Sequence, residues 1–178
     1  KTVHIATYLD ESAGGEVVAL DIYDHKIKLI EENAERLGVS SVVKTKLLDA
    51  REVERTFEND TFDRVLVDAP CSGLGLLRRK PDIKYSKSSQ DFLELQAIQL
   101  EILESVVTKV KEWGIITYST CTITSEENQE VITKFLEKHP NFEKIELVGA
   151  ENLDLSYEDK MLQIYPHHYQ TDGFFICS

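Results

Sequence analysis

The sequence predicts an α/β fold: a mostly parallel, doubly wound sheet closed by an antiparallel strand, in one domain of 178 residues. Short apolar, β-branched runs recur along the chain, as in strands buried on both faces. Stretches of helical period separate them, which is the order of βαβ units. A hydrophobic content of 42% suits a globular core, and neither a repeat nor a linker interrupts it.

Taken in order, Lys1–Leu9 reads as a helix with Val3, Ala6 and Leu9 on one face. Val17–Ile22 is a strand. Asp24 is placed to cap a helix carrying Ile27, Ile30, Ala34 and Leu37, and Gly38 stops it. Val42–Leu48 and Phe62–Val67 are the next strands. Asp91–Lys111 reads as a long helix, apolar on most of its surface and so buried on more than one side. Trp113-Gly114 is a turn into the strand Ile115–Ser119. Thr124-Ser125-Glu126-Glu127 has the form of a capping box opening a helix that reaches His139. Phe142–Val148 and Phe174–Cys177 read as closing strands.

No apolar run approaches the ~18–20 residues of a membrane span, and no signal-peptide pattern opens the chain. Three cysteines without a CxxC pair or zinc spacing favour a reduced, cytoplasmic protein. His167-His168 lacks a third ligand at useful spacing, so no metal site is expected. A net charge of -12 argues against nucleic acid as a partner. One stretch runs the other way: Arg78, Arg79, Lys80, Lys84 and Lys87 face a single acid, Asp82. That stretch reads either as a solvated loop or as a phosphate contact.

Cys71 and Cys121 occupy matching places, each just beyond an apolar strand: Val65–Asp68 precedes Ala69-Pro70-Cys71-Ser72-Gly73, and Ile115–Ser119 precedes Thr120-Cys121-Thr122. In open α/β sheets ligands bind beyond the carboxyl ends of strands, so the two thiols could face one substrate. They read equally as small buried hydrophobes. Asp21 closes the first strand at the place of a ribose-binding acid, and capping the next helix is an equal reading. Asp49, in Leu48-Asp49-Ala50-Arg51, is open in the same way. Cys177 reads as core.

The order Asp21, Asp49-Ala50-Arg51, Asp68-Ala69-Pro70-Cys71-Ser72-Gly73, Arg78-Arg79-Lys80-Pro81-Asp82-Ile83-Lys84-Tyr85, Ser119-Thr120-Cys121-Thr122 and Thr171-Asp172-Gly173-Phe174-Phe175 resembles the RNA cytosine-5 methyltransferases. The match is nearest to the bacterial Sun/Fmu-type enzymes of 16S rRNA. The resemblance implies a Rossmann-like fold, S-adenosylmethionine as cofactor, and RNA as partner, with rRNA expected and tRNA the alternative. It implies a monomer that binds neither metal nor membrane. It makes Cys121 the nucleophile and Cys71 the group that assists release, with Asp68 on the cytosine edge and Pro70 stiffening the loop. Asp21 and Asp49, with Asp68, would hold the cofactor; Arg78, Arg79, Lys80 and Lys84 would meet RNA; Lys1 would reach the active site. Family members carry a strand and a Pro-Gly-Gly-Lys-Thr loop where this chain starts at Lys1-Thr2, so that strand and loop are expected to be missing and the chain to be the C-terminal part of a longer protein. An amino-methyltransferase is disfavoured because Asp68-Ala69-Pro70-Cys71 breaks its Pro-Pro-aromatic pattern, and a non-catalytic nucleotide- or RNA-binding module is the remaining alternative.

Overall fold

A computed structural model describes every residue except 86, 87, 151, 152, 154 and 155. Lys87 of the basic stretch therefore lies outside the described residues. The chain divides into two compact units, Lys1–Thr56 and Phe57–Ser178.

In the first unit, helix α1 (Thr2–Ala6) is followed by strand β1 (Val17–Asp21), helix α2 (Asp24–Arg36), strand β2 (Val43–Leu47) and the short helix α3 (Val53–Thr56). β1 and β2 pair in parallel, with Asp21 opposite Leu47. Ala6, Ala34, Val42 and Val43 form the buried centre, joined by Val3, Val17, Ile30 and Val39. The helical period of α2 is what brings Ile27 and Ala34 inward. The expected cap shifts by one residue. Tyr23 takes the cap position and Asp24 is the first helical residue, because Asp21 reaches forward to accept the Tyr23 N–H at 2.9 Å. Gly38 ends the helix at φ 70°, a left-handed backbone that glycine adopts without steric cost.

The second unit contains strand β3 (Phe62–Asp68), helix α4 (Ser89–Val106), strand β4 (Val110–Thr120), helix α5 (Gln129–Lys138), strands β5 (Tyr157–Glu158) and β6 (Met161–Ile164), helix α6 (Pro166–Tyr169) and strand β7 (Phe174–Cys177). Its sheet has the order β3-β4-β7-β6-β5. β3 and β4 are parallel; β7, β6 and β5 add antiparallel strands. The class is α/β, as expected, and the antiparallel end is larger than one closing strand. The β5–β6 hairpin escaped notice because its turn places Asp159 and Lys160 at positive φ without a glycine.

Four further expectations change. α4 starts at Ser89 because Ser88 and Asp91 form a reciprocal capping box, and it ends at Val106 rather than Lys111. Lys109 turns away to donate to Asn59, and Val110 already pairs with Phe62. Within α4, Gln96 and Gln99 are buried while Leu93 is half exposed. Trp113-Gly114 lies inside β4, not before it, at a register shift opposite β3. Phe142–Val148 forms no strand; Ile145 donates to the Ser178 carbonyl and Val148 is fully exposed.

Candidate functional site

β3 and β4 are parallel neighbours in register, Asp68 opposite Ser119, so both chains leave the sheet at the same edge. That common exit brings the two cysteine loops together. Cys71 Sγ lies 3.1 Å from Cys121 Sγ, and the Cys121 backbone N–H donates to Cys71 Sγ at 3.3 Å. Neither is disulfide-bonded, and both are partly exposed. The hydrogen bond with Cys121, aided by burial, pushes the Cys71 thiol well above the ordinary cysteine range. Cys71 is thereby held toward its protonated form beside the Cys121 sulfur.

Asp68 stands exposed at the end of β3 and accepts the Ser119 hydroxyl at 3.2 Å. Ala69 N–H donates to the Ser119 carbonyl, extending the ladder one step into the loop. Pro70, which fixes its own φ, offers its carbonyl to Gln99 Nε2 of α4 at 2.9 Å.

Under the thiols lies a buried polar knot. Glu127 is 0% exposed, and its carboxylate accepts four bonds. Oε2 takes the Ser72 backbone N–H at 2.8 Å and Gln99 Nε2 at 3.2 Å. Oε1 takes the hydroxyls of Thr124 at 2.9 Å and Thr122 at 3.2 Å. Ser72 and Thr122 also join through their hydroxyls at 2.7 Å. The Tyr118 hydroxyl donates to the Glu127 carbonyl, and burial holds that phenol far above its usual range. The expected capping box at Thr124–Glu127 is thus diverted. Its residues serve the cysteine loops, α5 begins only at Gln129, and no helix start sits beside Cys121.

A glycine pair closes the other side. Gly75 N–H donates to the Cys121 carbonyl at 2.9 Å, and Gly173 N–H to the Gly75 carbonyl at 2.8 Å. A Cβ on Gly75 would lie 2.2 Å from the Gly173 oxygen and 2.7 Å from the Cys121 oxygen. Only glycine permits so close an approach.

The basic stretch follows on two short 3-10 turns, Leu74–Leu76 and Pro81–Tyr85. Arg78, Arg79, Lys80 and Lys84 are exposed. Arg79 is matched by an ion pair with Asp172, an acid absent from the local charge count. Lys84 Nζ stands 4.8 Å from the centre of the exposed Tyr85 ring.

The other predicted residues belong to the first unit. Lys1 precedes α1. Asp21 ends β1, and Asp49 lies two residues beyond β2, capping the 3-10 turn Ala50–Glu52. Asp49 accepts the Arg51 backbone N–H at 2.9 Å and its guanidinium with both oxygens, which holds the carboxyl below its usual range. His168 bonds Ser156 at 3.1 Å, and among the described residues no group of three or more His, Cys, Asp or Glu is placed to hold a metal. No helix there is long and apolar enough to cross a membrane. Cys177 is buried, which pushes its thiol up to about 11.

Glu127, Gln99, Ser72, Thr122, Gly75 and Gly173 were not singled out from the sequence as site residues. The available signals were two glutamines on an apolar helix and a dense run of hydroxyls after Cys121.

The family described as 16S rRNA methyltransferase RsmB/F matches residues 1–178. The chain belongs to that family. It is 48% identical to a probable ribosomal RNA small subunit methyltransferase B of Bacillus subtilis, covering 100% of this chain and 40% of the relative. It is 37% identical to ribosomal RNA small subunit methyltransferase B of Yersinia pseudotuberculosis, over 98% of this chain and 38% of that one. The chain thus spans about two fifths of the curated relatives it matches. Among solved structures, PH0851 superposes with a TM-score of 0.83 at 30% identity, covering 92% of this chain and 36% of that one. NSun6 from Pyrococcus horikoshii, solved with SFG, gives 0.75 at 27%, covering 92% and 40%. Fold and family membership are those of RNA methyltransferases of the Sun/Fmu type.

Proposed function

We propose that this chain carries the reaction centre of an S-adenosylmethionine-dependent enzyme that methylates carbon 5 of a cytosine in small-subunit rRNA. The observation that carries the reading is the pair of thiols, 3.1 Å apart and not disulfide-bonded, just beyond the carboxyl ends of the parallel strands β3 and β4. Carbon 5 of cytosine is a weak nucleophile. Attack of the Cys121 thiolate on carbon 6 forms an S–C bond and makes carbon 5 electron-rich, dividing one hard step into easier ones. S-adenosylmethionine supplies the methyl group that carbon 5 takes up. The carbon-5 proton then passes to a base, and elimination breaks the S–C bond to restore the ring.

The thiol pair suits a division of labour. While Cys121 is anionic, its charge and its hydrogen bond keep Cys71 protonated. Once Cys121 is bound to carbon 6, both influences vanish; Cys71 can then give its proton to water and, as the thiolate, take the carbon-5 proton in the release step. Asp68, exposed at the strand end, is suited to accept from the cytosine amino group and from a protonated N3. Pro70 fixes the loop between Asp68 and Cys71. Arg78, Lys80 and Lys84, with Arg79 after exchange from Asp172, would contact phosphates.

The donor set fits the cofactor. Asp21 at the end of β1 and Asp49 just beyond its parallel neighbour β2 would offer carboxylate oxygens to ribose hydroxyls and to the adenine amine, which are all donors. Arg51 directs four bonds at the two Asp49 oxygens, so the adenine amine would displace part of that pair.

The test separates the thiols. Cys121→Ala should abolish methylation of rRNA and any covalent complex. Cys71→Ala should accumulate the protein–RNA adduct on a denaturing gel. Reversed behaviour would exchange the two roles; no effect from either would end the covalent mechanism.

A further inference from the structure

We propose that Glu127 is a positioning residue that holds Cys71 against Cys121 through the release step. The inference rests on the cysteine roles proposed above. A carboxylate at 0% exposure is costly unless every lone pair is used, and here all four donors are neutral groups of the two cysteine loops and of α4. Burying an anion without a cation needs a return. The return visible here is geometric: Oε2 grips the residue after Cys71, and Oε1 grips the residue after Cys121. Gln99 ties the same oxygen to the Pro70 carbonyl, so the Cys71 loop is held on both sides of the cysteine. Its own Oε1 is buried without a partner, an amide orientation imposed by those two acceptors.

The donors differ in kind. Ser72 and Gln99 present N–H groups, which can only donate. Thr122 and Thr124 present hydroxyls, which can reverse their role. In Glu127→Gln the amide oxygen can keep the N–H side while the amide NH2 faces the hydroxyls. The loop stays in place with weaker, uncharged bonds. In Glu127→Met the shape is nearly kept but Ser72 N–H is left buried and unpaired, which frees the Cys71 loop to move.

The experiment uses the full-length protein, S-adenosylmethionine and an RNA substrate, and follows adduct formation and adduct release separately, with thermal melting as the check on folding. Cys71→Ala is the reference that forms the adduct and fails to release it. Glu127→Gln is expected to melt near the wild type and to accumulate adduct several-fold above it, yet below Cys71→Ala. Glu127→Met, where folded, should approach Cys71→Ala, and adding Cys71→Ala to it should change release no further, since coupled residues are non-additive. RNA affinity should stay within about twofold of the wild type in both, a margin within ordinary additivity error.

Equal slowing of formation and release in Glu127→Gln would show a general loss of structure and overturn the proposal. So would wild-type release in that variant. An absent adduct in the Cys71→Ala reference would instead defeat the covalent reading itself, a result distinguishable because it does not involve Glu127.

Discussion

The Cys121 side chain and burial raise the Cys71 thiol while the backbone N–H groups of Cys121 and Gly73 act the other way, and the balance favours the protonated form of Cys71. The glycine beneath Cys121 is equally constrained. Gly75→Ala would drive a methyl group into two carbonyl oxygens. It is expected to cost about 1–3 kcal/mol, as overpacking does, and to reduce methylation more than it reduces cofactor binding, because the displaced carbonyl is that of Cys121 itself. Chemical denaturation and steady-state kinetics check the two halves. The cysteines were legible in the sequence because each follows an apolar run that could only be a strand. Glu127 was not, because Thr124-Ser125-Glu126-Glu127 has the spacing of a capping box. Only the fold shows that the hydroxyls and carboxylate turn toward the cysteine loops instead.

Strand β4 illustrates how far element-level reading reaches. The sequence predicts its second half, Ile115–Ser119, whereas its first half has the pattern of a helix end and a turn. The cause is Trp113, 91% exposed at φ 63°, where the ladder with β3 shifts register. A bulky residue in left-handed backbone costs roughly 1–2 kcal/mol. Trp113→Gly is therefore expected to raise stability by about 1 kcal/mol, read from denaturant midpoints, despite the loss of an aromatic ring. Beside β4 at the centre of the sheet, β7 carries Cys177, whose thiol is raised from 9.0 to about 11 by burial. The native state keeps that proton longer than the unfolded state. Stability from this group is thus complete below pH 9 and declines as pH rises through 11. Cys177→Ala should flatten the alkaline limb of the stability curve over that window by at most about 1.4 kcal/mol per pH unit. An unchanged slope would mean the thiol does not titrate there. Phe142–Val148 differs for another reason: Phe142, Ile145 and Val148 give it strand-forming composition, but β4 already has its two neighbours in β3 and β7.

For the whole molecule the net charge of -12 opposes RNA binding, so the cations that remain must act locally. Composition alone overstated the basic stretch, since Asp172 arrives from 93 residues away to neutralise Arg79. Replacing Arg78 and Lys80 together by Ala should lower the slope of log K against log salt by about 1.4, two phosphate contacts at ~0.7 each on single-stranded RNA. Asp172→Asn should tighten binding by releasing Arg79; weaker binding would place Asp172 itself in an RNA contact. The division into two compact units was not visible in the alternation of strands and helices, which runs unbroken through residue 56. It follows from pairing: β1 and β2 form one sheet, and β3 and β4 belong to another.

The central claim is that Cys121 attacks the base while Cys71 carries the proton. It is tested most directly by incubating the full-length protein with S-adenosylmethionine and an rRNA fragment containing 5-fluorocytidine, whose carbon-5 fluorine cannot leave as a cation and so blocks release. Digestion and tandem mass spectrometry then locate the modified peptide. The expected result is a methylated fluorocytidine bonded through carbon 6 to Cys121 Sγ, with Cys71 unmodified. A bond to Cys71, or methylated RNA with no covalent peptide, would contradict the account.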